Sequence, residues 1–392
     1  MNKDDLPGDR GRARHFHGRT EILENFSAEL RLAANPDVWE SGTTFLIQGA
    51  PGAGKTALLD QFGDLAAAGG DAVGGQEWTV LEIDESALYD PAALMRRAGI
   101  SYTSGEITAQ SKRLEGGISK VIRGGGERKV THHADADILQ TLEELANRNP
   151  LLLVLDEAQT MEYKLDSHAE RLLMLTLKHV HNGKLAKSVV LACGGLGNSS
   201  QVFAGLGISR FKHNCLVNLG RLSEADERAV IRDWLVKDGG AQEADIQPWV
   251  NAIAQDTYGW PQHITIYAKV AATRLKARNG QMTPEDLDWV LQEGRAGKND
   301  YYWDRSGFLS SREVRVFAHT VQDTSRSGSI DREDFLERLM DRGPMSEEKA
   351  FRLFQELLHK GVLSPVRRSF GAYEIPIPSM KDFLLKEAGL EA

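Results

Sequence analysis

Along the chain, hydrophobic positions follow first one period and then another, and the change marks the architecture. Ile22, Leu23, Phe26 and Leu30 recur at helical spacing from Thr20 onward. Thr43–Gln48 (TTFLIQ) is a short apolar run that reads as a strand entering a glycine-rich loop. Ala57–Ala68 then reads as a helix, stopped by Gly69 and Gly70. Trp78–Ile83 is a second strand and Leu88–Ala98 a helix. Ala136–Asn147 is helical, and Leu151–Leu155 is the unbroken apolar run of a strand covered on both faces. Ala169–His181 is an amphipathic helix and Ser188–Ala192 a further buried strand. Strands alternating with helices predict a parallel sheet with crossover helices.

From about Arg221 the strand signals stop. Ser223, with Asp226 and Glu227 behind it, caps a helix through Leu235. Further helices are predicted at Pro248–Asp256, Pro261–Arg278 and Pro284–Glu293, followed by a polar, aromatic linker over Gly294–Gly307. Beyond it, Arg312–Val321, Asp331–Met340 and Ser346–Lys360 read as helices. Two extended runs, VLSPV and AYEIPI, then flank Arg367–Gly371. Three helices and a terminal hairpin predict a winged-helix module.

Two segments carry chemistry. Residues 49–56, GAPGAGKT, fit the phosphate-loop pattern, with Gly49, Gly54, Lys55 and Thr56 at the required spacing. Glycine is needed here because the backbone must turn its N–H groups inward and let phosphate oxygens approach closely. Pro51, Gly52, Ala53 and Ala57 complete the cradle at the start of a helix, where unpaired amides favour an anion. Lys55 supplies a point charge for the β- and γ-phosphates of ATP, and the Thr56 hydroxyl is a ligand for Mg2+. The second segment is LLLVLDEAQ, residues 151–159. Asp156, at the strand end, suits the magnesium ion, and Glu157 suits the orientation and deprotonation of an attacking water.

Composition adds boundaries. The 392 residues allow two or three domains, and a 41% hydrophobic, 26% charged balance is that of an ordinary globular protein. No apolar run approaches the roughly 20 residues that span a bilayer, and the charged N-terminus lacks a secretory core, so a cytoplasmic location is expected. Residues 1–14 read as a mobile arm. The two cysteines, Cys193 and Cys215, sit in apolar surroundings and read as reduced and buried. His132 and His133 lack partners at metal-ligand spacing. The tryptophans fall mostly at apolar positions and read as core.

The order of glycine loop, Asp-Glu strand, later strand, helical lid and winged helix resembles the AAA+ ATPases. Within them it resembles the branch of origin-recognition and archaeal replication-initiator ATPases. The resemblance covers most of 15–392 and is most specific at the two nucleotide motifs. It implies an α/β P-loop NTPase core over 15–220 with a five-stranded parallel sheet, a helical lid over 221–296 and a winged-helix-like domain over 300–392. It further implies that HFHGR, residues 15–19, flanks the adenine through Phe16, Gly18 and Arg19, with Pro261 opposite. GISRF, residues 207–211, resembles the segment with the arginine finger, which makes Arg210 the residue offered to a neighbouring subunit. The family's first sensor follows the SVVLA strand; here CGGLGNSS stands in its place, and Asn198 is the residue assigned. The lid has Gly259-Trp260-Pro261-Gln262-His263 where relatives often carry an arginine, and GWP resembles the lid motif of signal-transducing ATPases. That departure implies a slow switch.

Two functions stay open at this point. The first is a DNA-associated ATP switch in plasmid or mobile-element replication, transposition or a related process, self-associating through a nucleotide-containing interface. The basic segment 112–129 and the wing-tip pair Arg367 and Arg368 would be its DNA contacts. The second is a partner-gated signalling ATPase that binds protein and not DNA. A net charge of -9 and a helix at 346–360 with balanced charge weigh against the first.

Overall fold

The computed structural model describes residues 15–35, 42–83, 139–159, 168–184, 189–281, 283–322, 324, 329–343, 345–366 and 371–390. The helix predicted over Leu88–Ala98, the basic segment 112–129, His132, His133, Arg367, Arg368 and the N-terminal arm lie outside the described residues.

The core runs α1 (Thr20–Ala34), β1 (Thr43–Gln48), α2 (Lys55–Ala68), β2 (Thr79–Glu82), α3 (139–148), β3 (Leu151–Leu155), α4 (His168–His181), β4 (Val189–Gly195), α5 (Ser199–Gly205) and β5 (Leu216–Asn218). The five strands form one parallel sheet in the order β2-β3-β4-β1-β5. β1 and β4 are buried along their whole length, as their continuous apolar sequences require. Four strands were legible as apolar runs. The fifth, LVN, is an edge strand of three residues beside β1 and too short to carry a period. On one face of the sheet Phe26, Phe45 and Phe62 pack ring against ring, with Phe26 and Phe62 stacked. Cys193 and Cys215 are both buried free thiols, and burial pushes their ionisation well upward.

The lid is four helices: α6 (Glu224–Asp233), which widens into a π turn at Trp234–Asp238, α7 (Gln247–Thr257), α8 (Pro261–Ala277) and α9 (Pro284–Ser306). Ser223 caps α6 by accepting from the Asp226 amide at 3.2 Å, and proline opens α8 and α9. The linker expected at Gly294–Gly307 is instead the second half of α9. Its glycines serve packing: a Cβ at Gly294 would meet the Tyr267 ring at 2.4 Å, and one at Gly297 the Ile266 side chain at 2.9 Å. Two small residues let α9 press against α8, and the helix survives their poor propensity because that burial outweighs it.

The C-terminal module is α10 (Ser311–Gln322), β6 (Ile330–Asp331), α11 (Arg332–Arg342), α12 (Glu347–His359), β7 (Ser364–Pro365), β8 (Ala372–Glu374) and α13 (Met380–Glu387). Its strands form an antiparallel sheet in the order β6-β8-β7, the winged-helix arrangement. A single apolar cluster joins the α1–α2 side of the core, Trp260 and Tyr301 to this module's interior. Trp289 and Trp303 depart from the expected core role and are exposed; Arg274 lies over the Trp289 ring.

Candidate functional site

The turn after β1 builds the centre of the site. Gly52 and Gly54 take positive φ, 77° and 91°, conformations that an L side chain resists. Gly54 leads directly into α2, whose first residue is Lys55. The buried Lys55 ammonium donates to the carbonyls of Gly49 at 3.1 Å and Ala50 at 3.3 Å. Burial pulls its pKa down, Glu157 and Asp156 oppose that, and Arg305 adds to it. The cation therefore sits folded along the loop, held by two backbone carbonyls and favoured by the two nearby carboxylates.

β3 brings the carboxylates. Thr56 Oγ1 donates to Asp156 Oδ2 at 2.6 Å, joining two motifs 100 residues apart. A hydroxyl and a carboxylate are hard oxygen donors of the type that suits magnesium. Among the described residues no group of three or more His, Cys, Asp and Glu could hold a metal. Magnesium fits regardless, since it commonly takes one or two protein oxygens and completes its shell with phosphate and water. Glu157 takes φ 54°, a strained setting for a side-chain-bearing residue. Its carboxylate accepts from the Gln159 side chain, and Gln159 Oε1 accepts from the Leu196 amide at 3.1 Å. Gln159 thus braces Glu157 against the end of β4. Its amide was visible in the sequence, but nothing in the spacing marked it.

Asn198 does not join this cluster. β4 presents Gly194 beside Asp156, where a Cβ would come within 2.7 Å of Oδ1, so position 194 itself admits no side chain. Asn198 precedes α5 and lines a cavity of about 430 Å³ shared with Arg332, Phe354 and Tyr373 of the winged helix. Arg210 is exposed in the segment between α5 and the edge strand β5, while its neighbour Phe211 packs on the Phe203 and His181 rings.

The N-terminal box closes the other end of the loop. His15, Phe16, His17 and Arg19 share a small cavity with Ala53, Gly54, Ala57 and Pro261. Gly18 has φ 79° and lies against the Asp226 carboxylate, and Arg19 donates to the Gly220 carbonyl at 2.5 Å. His17 Nε2 lies 2.9 Å from Asp233 Oδ2, and His15 pairs with Asp238, so the box is tied to the lid. Of the residues assigned here by resemblance, Phe16, Arg19 and Pro261 line this cavity and Gly18 does not; the two histidines were overlooked as lid ties.

The lid and the junction helix cover the loop. Gln262 N donates to Gly52 O at 3.2 Å. A Cβ at Gly52 would meet Gln262 at 2.7 Å, the Tyr301 hydroxyl at 2.8 Å and Trp260 Nε1 at 3.0 Å. Tyr301 donates to Pro51 O, and a Cβ at Gly361 of the winged helix would reach Pro51 Cδ at 2.5 Å. Core, lid and winged helix therefore converge on Pro51–Gly54.

No family model matches the chain, and no curated protein matches it. Solved structures do. The ORC2 protein of Aeropyrum pernix, in its ADPNP–ADP complexes, aligns over 97% of this chain and 95% of its own with a TM-score of 0.59 at 14% identity. The ADP form of that protein gives 98% and 97%, with a TM-score of 0.58 at 14% identity. A Walker-type ATPase of Pyrococcus abyssi aligns over 97% and 99%, with a TM-score of 0.56 at 14% identity. Sheet order, lid, winged helix and these alignments agree: the chain has the fold of these ORC2 and Walker-type ATPase structures.

Proposed function

We propose that the chain is an ATP-binding and slowly ATP-hydrolysing AAA+ switch. The observation that carries this is the Thr56–Asp156 contact of 2.6 Å, beside a buried Lys55 folded along a glycine turn. Phosphates would lie on the amides of Gly49–Thr56, with Lys55 as counter-charge. Thr56 and Asp156 would hold Mg2+, which supplies charge neutralisation at the phosphates when bound. Glu157, braced by Gln159, would orient and deprotonate the water. The adenine would occupy the cavity between Phe16, Arg19 and Pro261. Arg210, exposed at the sheet edge, would serve the site of a neighbouring copy, so that nucleotide state and self-association are coupled.

Lys55→Ala tests the centre of the assignment. Binding of ATP with Mg2+, followed by calorimetry, is expected to disappear; an unchanged affinity sinks it.

For the biological role we favour a DNA-associated switch, on the likeness to the ORC2 protein along the whole length of both chains. A partner-gated ATPase is the second reading, supported by the winged helix resting on Pro51 and by the exposed face of α12, where Lys349 and Arg352, with Lys360 just past the helix end, are balanced by Glu347, Glu348 and Glu356. Among the described residues no helix is long and apolar enough to cross a membrane. DNA binding titrated with salt, with and without ATP, separates the two. Affinity that falls steeply with salt and requires ATP supports the first; no binding at low salt favours the second.

A further inference from the structure

The junction helix α9 carries a second cation to the phosphate loop. Arg305 lies in its last turn, four residues after Tyr301, so both side chains leave the same face of the helix. Tyr301 is fixed by its 2.8 Å bond to Pro51 O, and the Arg305 guanidinium lies over the Tyr301 ring, 5.6 Å from its centroid. Arg305 is thereby held beside the residue that contacts the first half of the loop. Its Nε is buried with no hydrogen-bond partner, although a guanidinium carries only donors and has no way to satisfy itself. Its charge also reaches Lys55, whose protonation it disfavours. Two neighbouring cations, one with an unmet donor, fit an anionic ligand that both can touch.

Position decides which part of the ligand that is. The base cavity is lined by Ala53, Gly54 and Ala57. The Lys55 ammonium rests at the opposite end of the loop, on Gly49 and Ala50. Arg305 packs on Tyr301, whose hydroxyl bonds Pro51, and is not among the residues lining the base cavity.

We propose that Arg305 binds the terminal phosphate of ATP from within the same chain, so that α9 distinguishes a triphosphate from a diphosphate. This rests on the nucleotide site described under Proposed function. It supplies from α9 a cation that the lid helix α8 lacks at Pro261, Gln262 and His263. Because α9 ends at Ser306 and the winged helix starts at Ser311, a contact made by Arg305 transmits directly to that module.

The test is calorimetry of the full chain with Mg2+ and either ADP or a non-hydrolysable ATP analogue, on the wild type, Arg305→Gln and Arg305→Lys. Losing a charge-assisted contact should weaken analogue binding by roughly tenfold or more. ADP affinity should stay within about twofold of wild type, a shift of under half a decade in Kd. Lysine should recover part of the loss, since it keeps the charge without the planar fork. Equal weakening of both nucleotides would identify Arg305 as a structural prop for Tyr301, and unaltered analogue binding would remove it from the site; either overturns the proposal. If the glutamine variant fails to fold, the analogue-to-ADP ratio of the lysine variant decides alone. A wild type that binds neither nucleotide refutes the site itself, an outcome distinct from a failure of Arg305.

Discussion

Tyr301 donates its hydroxyl to the carbonyl of Pro51 at 2.8 Å, across 250 residues of sequence, and so pins the junction helix to the phosphate loop. The contact is buried, and buried carbonyls are costly to leave unpaired. Tyr301→Phe keeps the ring that packs near His263 and Tyr302 and removes only the donor. Unfolding free energy should fall by about 1 kcal/mol, seen as a lower denaturant midpoint at constant slope. An unmoved midpoint would mean that water replaces the hydroxyl and that the pin is weak.

Glu157 and Gln159 should separate binding from turnover. Glu157→Gln removes the base but keeps the shape, so ATP affinity should persist while phosphate release falls by roughly 10²–10⁴. Gln159→Ala leaves the carboxylate in place but frees it from the strut to Leu196. Misplacing a catalytic group costs up to about a hundredfold, so turnover should drop by roughly tenfold to a hundredfold with affinity retained. Steady-state phosphate release alongside calorimetry reads both. Full activity in the alanine variant would show that Glu157 is held by its own backbone.

The parts of this site that could be read from sequence are those whose chemistry dictates residue type at fixed local spacing. Gly49, Gly54, Lys55 and Thr56 must be adjacent to wrap a phosphate, and Asp156 and Glu157 must end an apolar strand. Phe16, Gly18, Arg19 and Pro261 were placed through family resemblance; Phe16, Arg19 and Pro261 line one cavity, while Gly18 lies against Asp226. Tyr301, Arg305 and Gln159 were not legible, because each acts across a tertiary contact that no periodicity encodes. The junction helix was misread for a related reason: Gly294 and Gly297 look like breaks, yet they mark where α9 is pressed onto Tyr267 and Ile266. Asn198 was assigned by resemblance from its place after β4; no described hydrogen bond joins it to Asp156 or Glu157, and it lines the cavity shared with Arg332, Phe354 and Tyr373.

His263 makes the lid junction sensitive to acid. It is fully buried, edge-on to the Tyr301 and Tyr302 rings. Burial pushes its pKa down to about 3, and the charges of Lys298 and Arg221 push the same way. The unfolded chain takes up this proton near the ordinary imidazole value of about 6.5. Between those two values the unfolded state binds more protons, so stability is complete above the upper one and declines as pH falls below it. The decline approaches about 1.4 kcal/mol per pH unit, or about 2 kcal/mol from pH 6.5 to 5. His263→Phe, which fits among the tyrosines, should flatten that part of the profile in denaturant titrations. A variant with the wild-type slope would show that other groups set the acid response.

Arg210 is the residue whose role depends on a second copy. It stands exposed before the edge strand β5, held outward by Phe211, whose ring is anchored on Phe203 and His181. If it completes a neighbour's site, Arg210→Ala should leave ATP affinity unaltered and cut turnover, by up to roughly 10³–10⁵ where a finger is the main source of charge stabilisation. The loss should appear only at protein concentrations where the chain assembles, while dilute wild type and variant hydrolyse alike. Mixing Arg210→Ala with Glu157→Gln then becomes decisive. Each variant is defective at a different half of a shared site, so a mixed assembly contains interfaces with an intact Glu157 on one side and an intact Arg210 on the other. Turnover in the mixture should exceed that of either variant alone, and rise and fall with their ratio. A mixture no more active than its components, under conditions where light scattering shows co-assembly, would place the arginine outside any site shared between subunits.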